Sequence, residues 1–319
     1  MHPSYARLGA DELRRRAESA LARLAACDLC PRKCGVDRAA GESGFCRTGR
    51  RAVVASYQLH YGEESVLVGE GGSGAVFFSG CNLGCVFCQN WDISHADADG
   101  RLKGLEASAG ELAGVMLELQ SQGAENINLV SPTHVAAQIL EALPLALERG
   151  LSLPLVWNTG GYESLETLAL LDGVADIFMP DAKVWDPDIA ARILLARDYP
   201  ETARAAIAEM HRQVGDLELD DRGLARKGLL VRHLVLPGGL AGTRAWMEFL
   251  AGLSPLTFVN VMGQYHPCGR AGEFPGLERA VRGEEHAAAL EAARRAGLMR
   301  LDGDPALLLE RILRRARGG

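Results

Sequence analysis

Three cysteines crowd into the stretch FFSGCNLGCVFCQN: Cys81, Cys85 and Cys88, separated by three and then two residues. Three thiolates at this spacing can wrap one corner of an iron–sulfur cube. A four-iron cube held by three thiolates keeps one iron without a protein ligand, and an open coordination position is what separates a catalytic metal centre from a closed structural one. Zinc wants a fourth ligand and is unusual at spacing this tight. Gly80 and Gly84 let the backbone turn around such a group, and Phe87 gives it an aromatic wall.

A second group lies upstream in CDLCPRKCGVDRAAGESGFC, where Cys27, Cys30, Cys34 and Cys46 supply four thiolates, enough to close one metal site. Three cysteines within eight residues lean towards an auxiliary [4Fe-4S] centre. The alternative is zinc held by all four thiolates, folding a small domain that lacks its own core. Ordinary buried thiols are the third reading. The remaining cysteine, Cys268, reads as a small apolar filler.

These groups need a scaffold. From residue 75 to about 265, short apolar runs alternate with helical segments: 75–80, 126–132, 153–160, 175–181, 229–238 and 256–265. Leu112, Val115, Met116 and Leu119 mark one helix face between the first two runs. Val135, Ile139, Leu143 and Leu147 mark another, with Pro144 expected to bend it. Doubly buried strands alternating with helices predict an α/β fold with a parallel sheet, here a partial (β/α)6 TIM-type barrel. Functional residues in such folds gather where the strands end, which is where Cys81 falls. Residues 1–74 read as a cysteine-rich N-terminal unit, with a helix over 10–26 and short strands in RAVVASYQLHYG and EESVLVGEGGSG. HYGEES reads as a solvated turn. Residues 75–270 form the barrel, and 271–319 a helical C-terminal extension ending in DPALLLERILRR.

Composition excludes other classes. Of 319 residues, 48% are hydrophobic and 24% charged, which is globular rather than disordered. The net charge of −7 has the wrong sign for a broad nucleic-acid footprint. No apolar run approaches the roughly 18–20 residues of a membrane span. The opening MHPSYARLGADELRRR has no apolar core of a secretory signal, so the expected location is cytoplasmic, where cysteines stay thiols or metal ligands.

The Cys81–Cys85–Cys88 loop, with Phe87 before its third cysteine, resembles the cluster loop of the radical S-adenosylmethionine (SAM) superfamily. The rest of residues 75–270 is similar to the pyruvate formate-lyase activating enzyme branch, particularly its uncharacterised relatives with a cysteine-rich N-terminus. The resemblance implies a [4Fe-4S] cluster on the three cysteines, with SAM chelating the open iron. Reductive cleavage of SAM would then give methionine and a 5′-deoxyadenosyl radical that abstracts hydrogen from a substrate, conceivably a glycyl-radical partner protein. It also implies a reductant such as flavodoxin or ferredoxin. MPDAK (179–183) resembles the family's Met-x-Asp-x-Lys strand, which would put Lys183, one of four lysines, near the SAM carboxylate. QYHPCG resembles its Tyr-His-x-x-Gly ending and would aim His266 at SAM. VRHLVLPGG resembles its Arg-x-x-Val-x-Pro-Gly strand.

Two strand ends depart from the family. Where it has Gly-Gly-Glu-Pro, with an acid for the methionine ammonium, this chain has SPTH; Ser131 and Thr133 offer oxygens there but no acid is present. Where it has Asp-Thr-Asn-Gly, this chain has WNTGG; Asn158 and Thr159 can still bind polar SAM atoms, but Trp157 replaces the acid. That puts in question the family's monovalent-cation site, to which Asp181 would contribute. Two readings of other classes stand beside the enzyme: a non-enzymatic iron–sulfur electron-transfer protein, and a zinc-organised binding module.

Overall fold

The structure, a computed structural model, describes residues 2–303. Its contacts divide the chain into two units. The first comprises the chain up to Glu63, Leu67–Asn82 and Asp92–Asp176; the second comprises Glu64–Val66, Leu83–Trp91 and the chain from Ile177 onward.

The first unit opens with helix α1 (Ser4–Ala22) and a 3-10 turn at Arg23–Ala26. Its sheet contains β1 (Ala52–His60), β2 (Ser73–Phe78), β3 (Leu105–Ala107), β4 (Ile127–Val130) and β5 (Leu155–Thr159). The order is β3-β1-β2-β4-β5. β2, β4 and β5 run parallel, and β1 is antiparallel to β2 and β3. Helix α2 (Ala109–Ser121) starts at a capping box in which Glu111 N–H donates to Ser108 Oγ at 3.3 Å and Ser108 N–H donates to Glu111 Oε2 at 2.8 Å. It buries Leu112, Met116 and Leu119, three of the four positions that its periodicity marked. Helix α3 (Ala136–Glu148) continues through Pro144 and packs along α1. Helix α4 (Leu165–Leu171) is capped by Ser164.

The second unit contains β6 (Ile177–Pro180), α5 (Pro187–Ile193), α6 (Tyr199–Val214), β7 (Glu218–Leu219), β8 (Ala225–Leu234), α7 (Thr243–Leu253), β9 (Phe258–Met262), α8 (Gly283–Ala296) and β10 (Arg300–Leu301). β6, β8, β9 and β10 pair in that order, all parallel, while β7 is antiparallel to β8. Each of the six apolar runs overlaps a strand, and the fold is mixed α/β with mostly parallel pairing. Runs this apolar suit strands covered on both faces.

Several expectations are corrected. The division does not follow 1–74, 75–270 and 271–319. The N-terminal segment is part of a larger unit because β1 extends its sheet against β2 and α1 covers α3, both non-local pairings. The helix expected from residue 10 does begin there, preceded by a separate helical turn from Ser4 that is split from it by Gly9 at φ +76°, and it gives way to a 3-10 turn at Arg23–Ala26. EESVLVGEGGSG holds a helical turn at Ser65–Val68, with the strand starting only at Ser73. HYGEES is not wholly solvated: Glu64 is buried and accepts from Asn260 Nδ2 at 3.0 Å. β10 lies in the stretch expected to be helical. DPALLLERILRR lies outside the described residues. Among the described residues, no helix is long and apolar enough to cross a membrane.

Candidate functional site

At the end of β2 the chain turns through Gly80, at φ +82°. A Cβ there would stand 2.4 Å from the carbonyl oxygen of Cys46, so the close approach of backbone to backbone requires glycine. Cys81, half-buried, follows in the first unit. Cys85 and Cys88 belong to the second, where Cys88 N–H donates to Cys85 O at 3.1 Å in a tight turn. Gly84 and Val86 N–H groups donate to Leu194 O and Ile193 O at 3.1 and 3.0 Å, fixing that turn to the end of α5. Phe87 is buried edge-to-face on Tyr265, 6.0 Å between centroids.

Also in the second unit, β6 and β8 end in an ion network. Asp181 accepts from Lys183 Nζ at 2.6 Å and from Arg232 Nε at 2.9 Å. Burial alone would raise the Asp181 carboxyl, but the two cations outweigh it and hold it below the usual carboxylate range. Burial would likewise lower Lys183, yet Asp181 and then Cys85 keep its ammonium charged. Tyr199 OH braces the strand end, accepting from Lys183 N–H at 3.0 Å and donating to Asp181 O at 2.7 Å. His266 is exposed, its Nδ1 3.3 Å from Gln264 O.

The first unit gathers the polar ends of β4 and β5. Ser131 adopts a left-handed backbone, φ +57°, uncommon outside glycine and typical of functional loops. Its N–H donates to Asn158 O at 2.8 Å. Ser131 is half-buried, and Thr133, Asn158 and Thr159 are buried. They meet a residue that the strand motifs did not reveal, Glu163, only 1% exposed. Thr133 Oγ1 and Thr159 Oγ1 each donate to Glu163 Oε1 at 2.6 Å, and Trp157 Nε1 donates to the same oxygen at 3.0 Å. Oε2 has no partner among the described residues. Burial raises the carboxyl above its ordinary range, against the pull of the three donors. A buried acid thus stands in the loop after β5, near SPTH, and Trp157 serves it as a donor. A buried carboxylate oxygen left open is suited to a cation, as the ammonium of SAM is.

The upstream cysteines also lie in the first unit. Cys27, Cys30, Cys34 and Cys46 line one cavity with Arg32, Arg38, Phe45, Asn82 and His134. Burial, opposed by a hydrogen bond from the Arg32 backbone and aided by Cys46, Cys27 and Cys34, pushes the Cys30 thiol up to about 12. Among the described residues, no three His, Cys, Asp or Glu side chains are gathered at the distances of a single bound ion.

Comparison with known proteins agrees with this chemistry. Residues 75–216 match the Radical SAM superfamily. A protein of Methanocaldococcus jannaschii, described as uncharacterized protein MJ0674, is 33% identical over 277 residues, covering 85% of this chain and 75% of that protein. The matched segment begins within β2 and includes the three-cysteine loop, both polar strand ends of the first unit, and Asp181 with Lys183. The chain belongs to the radical SAM superfamily.

Proposed function

We propose that this chain is a hydrogen-abstracting radical SAM enzyme of the activating-enzyme-like branch, built on a partial barrel of six parallel strands. The observation that carries the proposal is the Cys81–Cys85–Cys88 loop leaving a parallel strand inside the segment that matches the superfamily. Cys81, Cys85 and Cys88 would hold a [4Fe-4S] cluster, which would supply the electron for reductive cleavage of SAM to methionine and a 5′-deoxyadenosyl radical.

The chain's own residues bind and orient. Glu163 Oε2 takes the SAM ammonium while Thr133, Trp157 and Thr159 hold Oε1 in place. Such an ammonium replaces the missing partner and favours the ionised carboxylate. Ser131 and Asn158 offer further polar atoms at the same strand ends, and Lys183, with its charge shared with Asp181, faces the SAM carboxylate. Phe87 walls the cluster from water, and His266 is assigned to SAM by the Tyr-His-x-x-Gly resemblance of its segment. Cys27, Cys30, Cys34 and Cys46 hold a second metal centre, iron–sulfur or zinc. The hydrogen donor is a substrate of the glycyl-radical-protein kind, and the electron comes from a flavodoxin or ferredoxin in the cytoplasm.

Anaerobic reconstitution followed by dithionite and SAM tests this reading. Release of 5′-deoxyadenosine is expected, and its loss on substituting Ala at Cys81, Cys85 or Cys88. An assembled cluster that releases none would instead make the protein an electron carrier.

A further inference from the structure

We infer that the four upstream cysteines hold a redox-active [4Fe-4S] cluster, and that the buried guanidinium of Arg38 is its charge partner and sets its potential. This deepens the second-metal reading above and does not depend on SAM cleavage.

Arg38 is 1% exposed. Its Nε donates to Gly49 O at 3.1 Å and its Nη1 to His134 O at 2.8 Å, with Nη1 also 3.7 Å from Cys27 Sγ. Its Nη2 is buried with no partner. Among the described residues no carboxylate pairs with it. A buried cation without an anion costs several kcal/mol. Four thiolates around a [4Fe-4S] core supply that anion, with a net charge of about −2 when oxidised and about −3 when reduced. A guanidinium beside the sulfur stabilises the reduced form more, which raises the potential.

Zinc at this place would serve to fold a segment that lacks its own core, but this segment already has anchors. Ser164 Oγ and Thr167 Oγ1 donate to Leu29 O at 3.0 and 2.6 Å, and Leu24 and Leu29 are buried. The cavity also adjoins the strand-end loop of the first unit. Asn82, next to Cys81, lines it and accepts at its carbonyl from Arg32 Nε at 2.9 Å. From Cys27 a chain of contacts runs through Arg38 to His134, whose Nε2 lies 2.8 Å from Ser79 O, two residues before Cys81. The redox step is one electron, from the 2+ to the 1+ core, supplied by a low-potential carrier of the flavodoxin or ferredoxin class. No bond is made or broken.

The test uses the full chain with Cys81, Cys85 and Cys88 all replaced by Ala, so that only the upstream site remains. After anaerobic reconstitution it should hold about four iron and four sulfide per chain and give a paramagnetic signal on reduction by dithionite. Zinc without sulfide, or no metal, overturns the inference. Adding Arg38→Met should disfavour reduction about tenfold, a fall of about 59 mV in midpoint potential for one electron. Arg38→Lys should recover part of it. An unchanged potential in Arg38→Met overturns the role of Arg38. Should the triple variant not fold, the unaltered chain decides the metal question: about eight iron support the second cluster and about four refute it. SAM cleavage is measured separately, so either reading can fail alone.

Discussion

Two carboxylates largely withdrawn from solvent stand just beyond strand ends, one in each unit, with their titration pushed in opposite directions. Asp181 is paired within the chain to Lys183 and Arg232 and stays ionised. Glu163 receives only neutral donors, all on one oxygen, and burial pushes it towards the protonated form. The first site is electrostatically complete. The second has one oxygen without a partner among the described residues, so the same functional group is paired in one unit and, in the proposed reading, open to a ligand in the other.

The sharpest way to break this contrast is Asp181→Asn, which leaves two cations without their counter-charge. Breaking a buried pair costs about 3–5 kcal/mol. Because the three side chains keep 13–19% exposure, a loss near the low end, about 3 kcal/mol, is expected in denaturant unfolding. Glu163→Gln should leave stability of the ligand-free protein nearly unchanged, since a carbonyl oxygen can still accept from the two threonines and the indole. The same variant should weaken SAM binding to the reconstituted protein about 100-fold, equivalent to about 2.7 kcal/mol, in an equilibrium binding measurement. Unchanged affinity would remove Glu163 from the site.

Acid titration separates the two with a smaller effect. Asp181 has a depressed folded-state value, so its stabilisation is present above about pH 4 and is lost as pH falls through that lower value. Glu163 has a raised one, so its contribution is present below about pH 4 and is lost as pH rises through the folded value. Unfolding measured across pH should therefore show a flattened acid limb in Asp181→Asn. In Glu163→Gln the acid limb should remain, and SAM affinity should lose its rise with pH.

Much of this was legible in the sequence, for reasons of range. The six strands follow from continuous apolar runs, a local property, and the triplet follows from spacing alone. Glu163 was hidden because its donors come from β5 and from the turn after β4, and only folding brings Thr133, thirty residues away, to the same oxygen. Arg38 was one arginine in a basic loop; nothing local marks it for burial. The sheet that joins the N-terminal segment to the rest of the first unit was hidden for the same cause, since the pairing of β1 with β2 is tertiary. His266 carries a recognisable motif, yet its exposure is decided by the loop around it.

The bare backbone at Gly80 has a mechanical consequence. With the Cys46 carbonyl occupying the space of a side chain, the two sulfur-bearing segments of the first unit rest against each other with no cushioning atoms between them. Such a joint transmits displacement rather than absorbing it. A shift of the Cys46 carbonyl is therefore passed directly to the turn that precedes Cys81.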